Sequence, residues 1–472
     1  MAAARSISSR CICTDLDKQR DQFRRATGQF QDRTLTNADE ETETVGLTVE
    51  QTHRFGAGFE LKAHAGYFHT GFDSTSNDTT LNSALAFANG SSEDSVIRDE
   101  LVHAGASLAM PFHVGLPQEV KVGLAFRRGD RSSDRDVFTV DGVGRRSQRS
   151  ADVAVSVESD YAITETYYAA FIQDRLTVTE RLSLTPGLRL EHVVDDLRGG
   201  VGVDKRPDFT DVLPSLPMLY RATDRLAFHA AVARQVNRPK FDEIAPGITP
   251  RGPRTFVGNP DLEPARAWSF DLGSSYVTPH LFLGINLYYR LITDLIEAKE
   301  ITTNTFEFRN VGDGHARGVE LEQRFRLAAL GLEWLDGFTF LANQTFLSTE
   351  VDDPDTGKRR FGDQPDFVGN FGLEWANARI GTLLSLVVNY TSSRLTISSE
   401  GSGEIRRKTR DGEVFMDLYA EQDLFRGLKL FVSAENLTNQ PRSESELLND
   451  ALNRVATIES GRVFFIGVKY RF

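Results

Sequence analysis

Cysteine is nearly missing from this 472-residue chain, in which Cys11 and Cys13 are the only two. They lie two positions apart near the start, and nothing supplies further ligands, so neither a disulfide framework nor a zinc site is expected. Long apolar runs are missing as well. No stretch reaches the roughly 18 residues of a membrane-crossing helix, which excludes helical spans. A mean hydropathy of −0.32 leaves a membrane β-barrel open, because barrel strands hide their hydrophobicity in alternation. A basic excess is also missing: the formal net charge is −13, whereas a nucleic-acid binder would carry a basic face. The opening Met1 to Arg10 lacks the apolar core of about 7–15 residues found in an export signal. Residues 1–42 are polar and aperiodic and are expected to be poorly structured, with the folded region spanning 43–472.

What is present is alternation. At the carboxyl end Phe464, Ile466, Val468, Tyr470 and Phe472 take every second position, so a strand places them on one face. Phe465, Gly467, Lys469 and Arg471 take the other face. Similar segments recur, among them Phe59-Leu61-Ala63-Ala65-Tyr67, Leu281-Leu283-Ile285-Leu287-Tyr289 and Leu384-Leu386-Val388-Tyr390. Glu320, Glu322, Arg324 and Arg326 make one such face wholly charged, suited to bulk water or a wet lumen.

The connections discriminate better than the strands. Short links at 52–57, 111–117, 179–181, 223–225, 278–280 and 425–427 interleave with long ones at 69–98, 128–164, 193–211, 237–266, 297–315 and 392–412. Outer-membrane barrels show this asymmetry, with short periplasmic turns and long outer loops. A Greek-key sandwich has no reason to alternate so regularly. The pattern predicts an all-β, antiparallel transmembrane β-barrel of about seventeen strands, each near the 9–11 residues that cross a bilayer at a tilt. A closed single-chain barrel needs an even number, so at least one strand should be missing upstream, with about seventeen present of an expected 22.

Several patches over residues 160–472 resemble the TonB-dependent receptors of Gram-negative outer membranes. Gly258-Asn259-Pro260-Asp261-Leu262-Glu263-Pro264 is similar to that family's G-N-P-x-L-x-P segment, with Asn237-Arg238-Pro239 upstream. Asn310-Val311-Gly312 followed by Gly318-Val319-Glu320-Leu321-Glu322 resembles its N-x-G…G-x-E-x-E strand. Glu435-Asn436-Leu437-Thr438-Asn439 and Gly461-Arg462 resemble its ending, and Glu165, Ala170, Gln173 and Pro186 to Glu191 also fit. The bottom-up reading of these pieces is turn chemistry: Pro260 and Pro264 fix an extended turn, and Gly318 permits close backbone approach.

The resemblance implies an outer-membrane receptor for a scarce ligand, most often a ferric siderophore, with haem, cobalamin or a glycan as other cargoes. Complete members have 22-stranded barrels, an amino-terminal plug, a TonB-box peptide and a signal sequence. None of the last three is found, so the chain is expected to be an incomplete or open barrel that reaches the TonB complex only through a plug it lacks. As written it is expected to be a fragment unable to transport alone. Arg251, Arg254 and Phe256 share one outer loop and could meet an anionic, aromatic iron chelate. By resemblance, Tyr470 and Phe472 form the signal read by the barrel-assembly machinery. Outer-membrane lipid is the remaining partner; no nucleic acid and no cofactor are expected. The alternative reading is a passive porin-like channel. The nine scattered His residues accompany no nucleophile motif, phosphate loop or metal-ligand spacing, so no enzyme is expected.

Overall fold

The computed structural model describes residues 3–26, 29–82, 84–140, 146–149, 160–199, 202–251, 254–302, 305–399, 405–425, 427–449, 451–458 and 461–470. Eighteen long strands form one meander. They are β1 (Ala3–Ala26), β2 (Gln29–Arg54), β3 (Glu60–Leu81), β4 (Phe87–Val114), β5 (Leu116–Val140) and β6 (Tyr161–Thr177). Next come β7 (Gly187–Gly199), β8 (Asp208–Arg221), β9 (Leu226–Asn237), β10 (Ala265–Val277), β11 (Leu281–Thr293) and β12 (Gly314–Arg326). The rest are β13 (Phe338–Asp353), β14 (Phe367–Asn377), β15 (Thr382–Thr391), β16 (Glu413–Phe425), β17 (Leu428–Glu435) and β18 (Val463–Tyr470). Each pairs antiparallel with the next, as an all-β transmembrane barrel requires.

Side-chain alternation sorts the two faces. Trp268, Phe270 and Leu272 on β10 and Leu283, Ile285, Leu287, Tyr289 and Leu291 on β11 stay exposed on the outward, lipid-facing side. The opposite face carries small, polar and aromatic residues. Several inner rings lie flat on a cross-strand glycine. A Cβ on Gly46 would meet the Phe68 ring at 2.6 Å, and one on Gly318 would meet Tyr288 Oη at 2.4 Å.

Three periplasmic turns repeat one chemistry. Thr179, Thr223 and Thr278 each accept, at Oγ1, the amide of a leucine three residues on (Leu182, Leu226, Leu281), at 2.9 to 3.0 Å. The alternation of short and long links therefore rests on a repeated side-chain-to-backbone lock. On the outer side, short strands build two small sheets. One joins Ile248–Arg251, Arg254–Val257, Thr305–Asn310 and Ile296–Thr302; the other joins Gln364–Pro365, Arg394–Ser399, Ile405–Arg410, Arg442–Leu448 and Ala451–Ile458.

Two features differ from the sequence expectation. Residues 1–42, expected as poorly structured, carry β1 and the first half of β2, laddered from Ala3↔His53 to Ala26↔Gln29. Backbone pairing to a neighbouring strand needs no apolar periodicity, which is why alternation gave no sign of it. The strand expected to be missing upstream of the first alternating segment is instead present as β1. The span 69–98, expected as a loop, is instead paired strand: Gly71–Leu81 ladders onto Phe87–Arg98, lifting a polar hairpin above the membrane band. On β18, Lys469 turns inward as expected and donates to Tyr419 Oη (2.7 Å) and Glu421 Oε2 (2.9 Å). Phe472 lies outside the described residues. Among the described residues no ladder joins β18 to β1.

Candidate functional site

The inner wall near the outer rim of β5 to β9 gathers a dense set of charges and one phenol. Glu165 and Tyr167 come from β6, Arg189, Glu191 and Asp195 from β7, Asp211 from β8 and Arg127 from β5. The ladder sets Tyr167 opposite both Arg127 and Val193, and Glu165 opposite Asp195. Tyr167 Oη donates to Glu191 Oε1 (2.7 Å) and accepts from Arg189 Nη2 (2.5 Å). The guanidiniums of Arg127 and Arg238 lie 5.0 and 5.7 Å from the Tyr167 ring centre. Arg127 pairs with Glu165 (2.5 Å), and Arg238 bridges Glu191 (2.7 Å) and Asp211 (3.0 Å). Arg266 closes the chain of charges on Asp211 at 2.7 Å.

Asp195 stands apart within this wall. It is 7 % exposed, and among the described residues its Oδ1 has no hydrogen-bond partner. Asp196 and Arg198, ion-paired at 2.9 Å, occupy the outward face at this level, so Asp195 lies above the lipid band. Burial, and then the neighbouring Glu165, push its carboxyl up to about 7 against the pull of Arg238 and Arg127.

The mouth is occupied by the connection 238–264. Ile244 of its single-turn helix α1 (Phe241–Ile244), together with Ala245 and Leu262 further along the connection, packs against Tyr161, Ile163 and Leu197 of the wall. Arg131 anchors it by an ion pair to Asp242 (2.6 Å) and by stacking on Phe241 (5.3 Å), while also holding Asp99. The G-N-P-x-L-x-P segment has a definite task here. Asn259 Nδ2 donates to Phe308 O, Asn259 N donates to Glu243 O, Leu262 is buried, and Gly258 passes Ala245 so closely that a Cβ would sit 2.1 Å from its carbonyl oxygen. Gly258→Ala is therefore expected to loosen this strap by about 1–3 kcal/mol. Limited proteolysis within 238–264 should accelerate in the variant, and unchanged cleavage would refute the assignment.

Arg251 and Arg254, singled out from the sequence, face each other in register at the end of the hairpin Ile248–Arg251/Arg254–Val257. Phe256 is half-buried and stacks on Phe306 (5.3 Å) and Phe308 (5.9 Å), so its ring packs the outer loops together. The inner-wall set was not assembled from the sequence, although Glu165, Arg189, Glu191 and Arg238 fall inside the family-like patches. The available signal was charge at alternate positions of these strands.

A second buried charge cluster ties the outer loops. Lys299 Nζ contacts Asp353 (2.7 Å) and Asp355 (2.6 Å), and Arg359 contacts Asp353 (2.6 Å) and Glu297 (2.7 Å). Among the described residues no group of three or more His, Cys, Asp or Glu side chains could hold a metal ion.

A strand-built membrane barrel with a charged inner wall and a mouth filled by its own loops is a receptor-type barrel. The chain matches the family model described as TonB dependent receptor-like, beta-barrel, over residues 14–437, and it belongs to that family. It is a protein of the cell outer membrane. Solved structures share the fold at low identity. The chain is similar to the pyoverdine outer membrane receptor FpvA from Pseudomonas aeruginosa PAO1 (12% identity, TM-score 0.68, 99% of this chain and 72% of that one). It is also similar to BauA, the ferric preacinetobactin receptor from Acinetobacter baumannii (15%, 0.63, 99% and 72%), and to the ferric-catecholate import receptor Fiu from K12 E. coli (11%, 0.59, 100% and 81%). No curated protein matches the chain.

Proposed function

We propose that this barrel binds a ferric siderophore for TonB-dependent uptake. The observation that carries the reading is the inner-wall cluster of Arg127, Arg189 and Arg238 around Tyr167. Ferric chelates of catecholates and hydroxy acids are anionic and often aromatic, and guanidiniums meet such groups both bidentately and face-on. The likeness to receptors for pyoverdine, ferric preacinetobactin and ferric catecholates supports the same ligand class. Arg251, Arg254 and Phe256 would act outside the wall, in first capture. Energy coupling on this reading belongs to a plug and the TonB complex, while the barrel supplies the binding wall. Tyr470 and Phe472 would be read by the barrel-assembly machinery. The role assigned is binding and transport, with no catalytic step.

The test is direct binding of ferric catecholate, hydroxamate and citrate chelates, haem and cobalamin to the purified barrel in detergent, by calorimetry. At least one ferric chelate should bind, and Arg127→Ala should weaken it roughly ten-fold, about 1.4 kcal/mol. Arg127 suits this purpose because its guanidinium is the most exposed of those facing Tyr167. Binding of haem or cobalamin alone would reassign the ligand. Size-limited solute flux in liposomes without chelate binding would favour a passive channel instead.

A further inference from the structure

The outward faces of β12 and β13 carry a feature that ligand uptake does not use. On β12 the lipid-facing row runs Val319, Leu321, Gln323 and Phe325, and on β13 it runs Phe340, Ala342, Gln344 and Phe346. The flanking strands are apolar at this level. Leu283 and Ile285 of β11 lie opposite Gln323 and Leu321, and Phe371 and Gly369 of β14 lie opposite Ala342 and Gln344. On these two rows charge begins only above, at Arg317 on β12 and at Glu350 on β13, which pairs with Lys358 at 3.2 Å. Two carboxamides therefore sit inside the hydrocarbon band.

The two amides bind each other. Gln323 Nε2 donates to Gln344 Oε1 (3.0 Å), and Gln344 Nε2 donates to Gln323 Oε1 (3.1 Å). Each carboxamide offers two N–H donors and an oxygen with two lone pairs, so this ring uses half of its capacity. Among the described residues neither side chain makes a further hydrogen bond. Lipid cannot supply one, because an acyl chain neither donates nor accepts and water is excluded at this depth. What is left over is one N–H and one oxygen lone pair on each residue, a set that is its own complement. We infer that this face is a two-fold contact between copies of this chain in the membrane, with the two Gln323–Gln344 rings hydrogen-bonded across the axis. A two-fold rotation sets donor against acceptor in both directions at once, whereas an apolar partner would leave all four groups unpaired. Leu321, Phe340 and Phe346 surround the rings, so the copies meet with no charge to desolvate. Amide side chains join other membrane-spanning segments by the same hydrogen bonds.

The experiment uses the full chain in liposomes. Energy transfer between donor-labelled and acceptor-labelled copies, followed as the protein is diluted with lipid, gives the dimer dissociation constant. Gln323→Leu combined with Gln344→Leu should raise that constant roughly ten-fold. Leucine suits the lipid-facing positions, and unchanged heat-modified mobility on gels identifies the folded variant. A second measurement stands apart from that variant. With Cys11→Ser and Cys13→Ser as background, Leu321→Cys, beside the rings, should give disulfide-linked dimers on mild oxidation. Leu190→Cys, lipid-facing on β7, should not. Monomers at every dilution, an unchanged constant in the folded double variant, or equal cross-linking from Leu190→Cys would each overturn the assignment.

Discussion

Asp353→Asn should release the outer loops while leaving the barrel strands intact. Asp353 is fully buried at the top of β13, where it receives the Lys299 ammonium, both Nε and Nη2 of Arg359 and the Asp355 amide. Burial opposes its charge, but Lys299, the Asp355 amide and Arg359 outweigh it and hold the carboxyl at about 2. The folded value is therefore depressed below an unfolded value near 3.9, so the stabilisation is present above pH 4 and is lost as pH falls toward 2. The shift corresponds to about 2.6 kcal/mol, and breaking a buried pair while leaving its cations in place costs about 3–5 kcal/mol. Asp355 and Glu297 still partner Lys299 and Arg359, so the lower end, about 3 kcal/mol, is expected. Amide exchange over 296–310 and 354–366 should then rise on the order of 100-fold, with β10 to β12 unchanged. Exchange equal to that of the native protein at pH 7 would show that the cluster does not tie the loops. The native protein should itself develop the same exchange between pH 4 and pH 2.

The two clusters show why one part of this protein could be read from its sequence and another could not. Lipid-facing rows such as Leu283 to Leu291 follow a local rule, since every second residue must be apolar, and turns such as Thr278 to Leu281 are complete within four residues. Both were legible without knowing any partner. Arg238 and Asp211, by contrast, are 27 residues apart in sequence, and Arg266 and Asp211 are 55 apart. They meet only because β8, β9 and β10 pair in one particular register, and a shift of one residue would turn the inner residues outward. The inner wall therefore could not be assembled by inspection, although Glu320 to Arg326 already announced that such a face exists. Phe256 illustrates the converse. Its neighbours Arg251 and Arg254 marked a loop with ligand-like chemistry, but Phe306 and Phe308, on which its ring stacks, come from a connection two strands later, so that packing could not be read locally. β1 was invisible for a third reason: its pairing is carried by the backbone, which leaves no pattern in side chains.

The second large effect lies at Asp195, and its sign is opposite to that at Asp353. Here the folded carboxyl is raised, to about 7, so the barrel holds its proton more tightly than the unfolded chain does. Stability from this group is highest below pH 4, declines as pH climbs from about 4 to about 7, and is flat above. The difference between folded and unfolded values corresponds to a destabilisation on the order of 4 kcal/mol once both states are ionised. Asp195→Asn removes the titration while keeping the shape. The variant should match the native protein near pH 4 and exceed it at pH 8, seen as a higher urea midpoint in detergent at the alkaline pH alone. The charged groups that face Asp195 set the size of the effect: Glu165 opposes ionisation from β6, whereas Arg127 on β5 and Arg238 after β9 favour it. Glu165→Gln should accordingly pull the Asp195 transition to lower pH, and a transition that stays in place would show that burial alone sets it. Ionisation also changes the wall itself. Below the transition the cluster of Arg127, Arg189, Arg238 and Arg266 faces three carboxylates, Glu165, Glu191 and Asp211, and above it a fourth. If an anionic chelate binds there, its affinity should weaken as pH rises through 7, and Asp195→Asn should flatten that dependence.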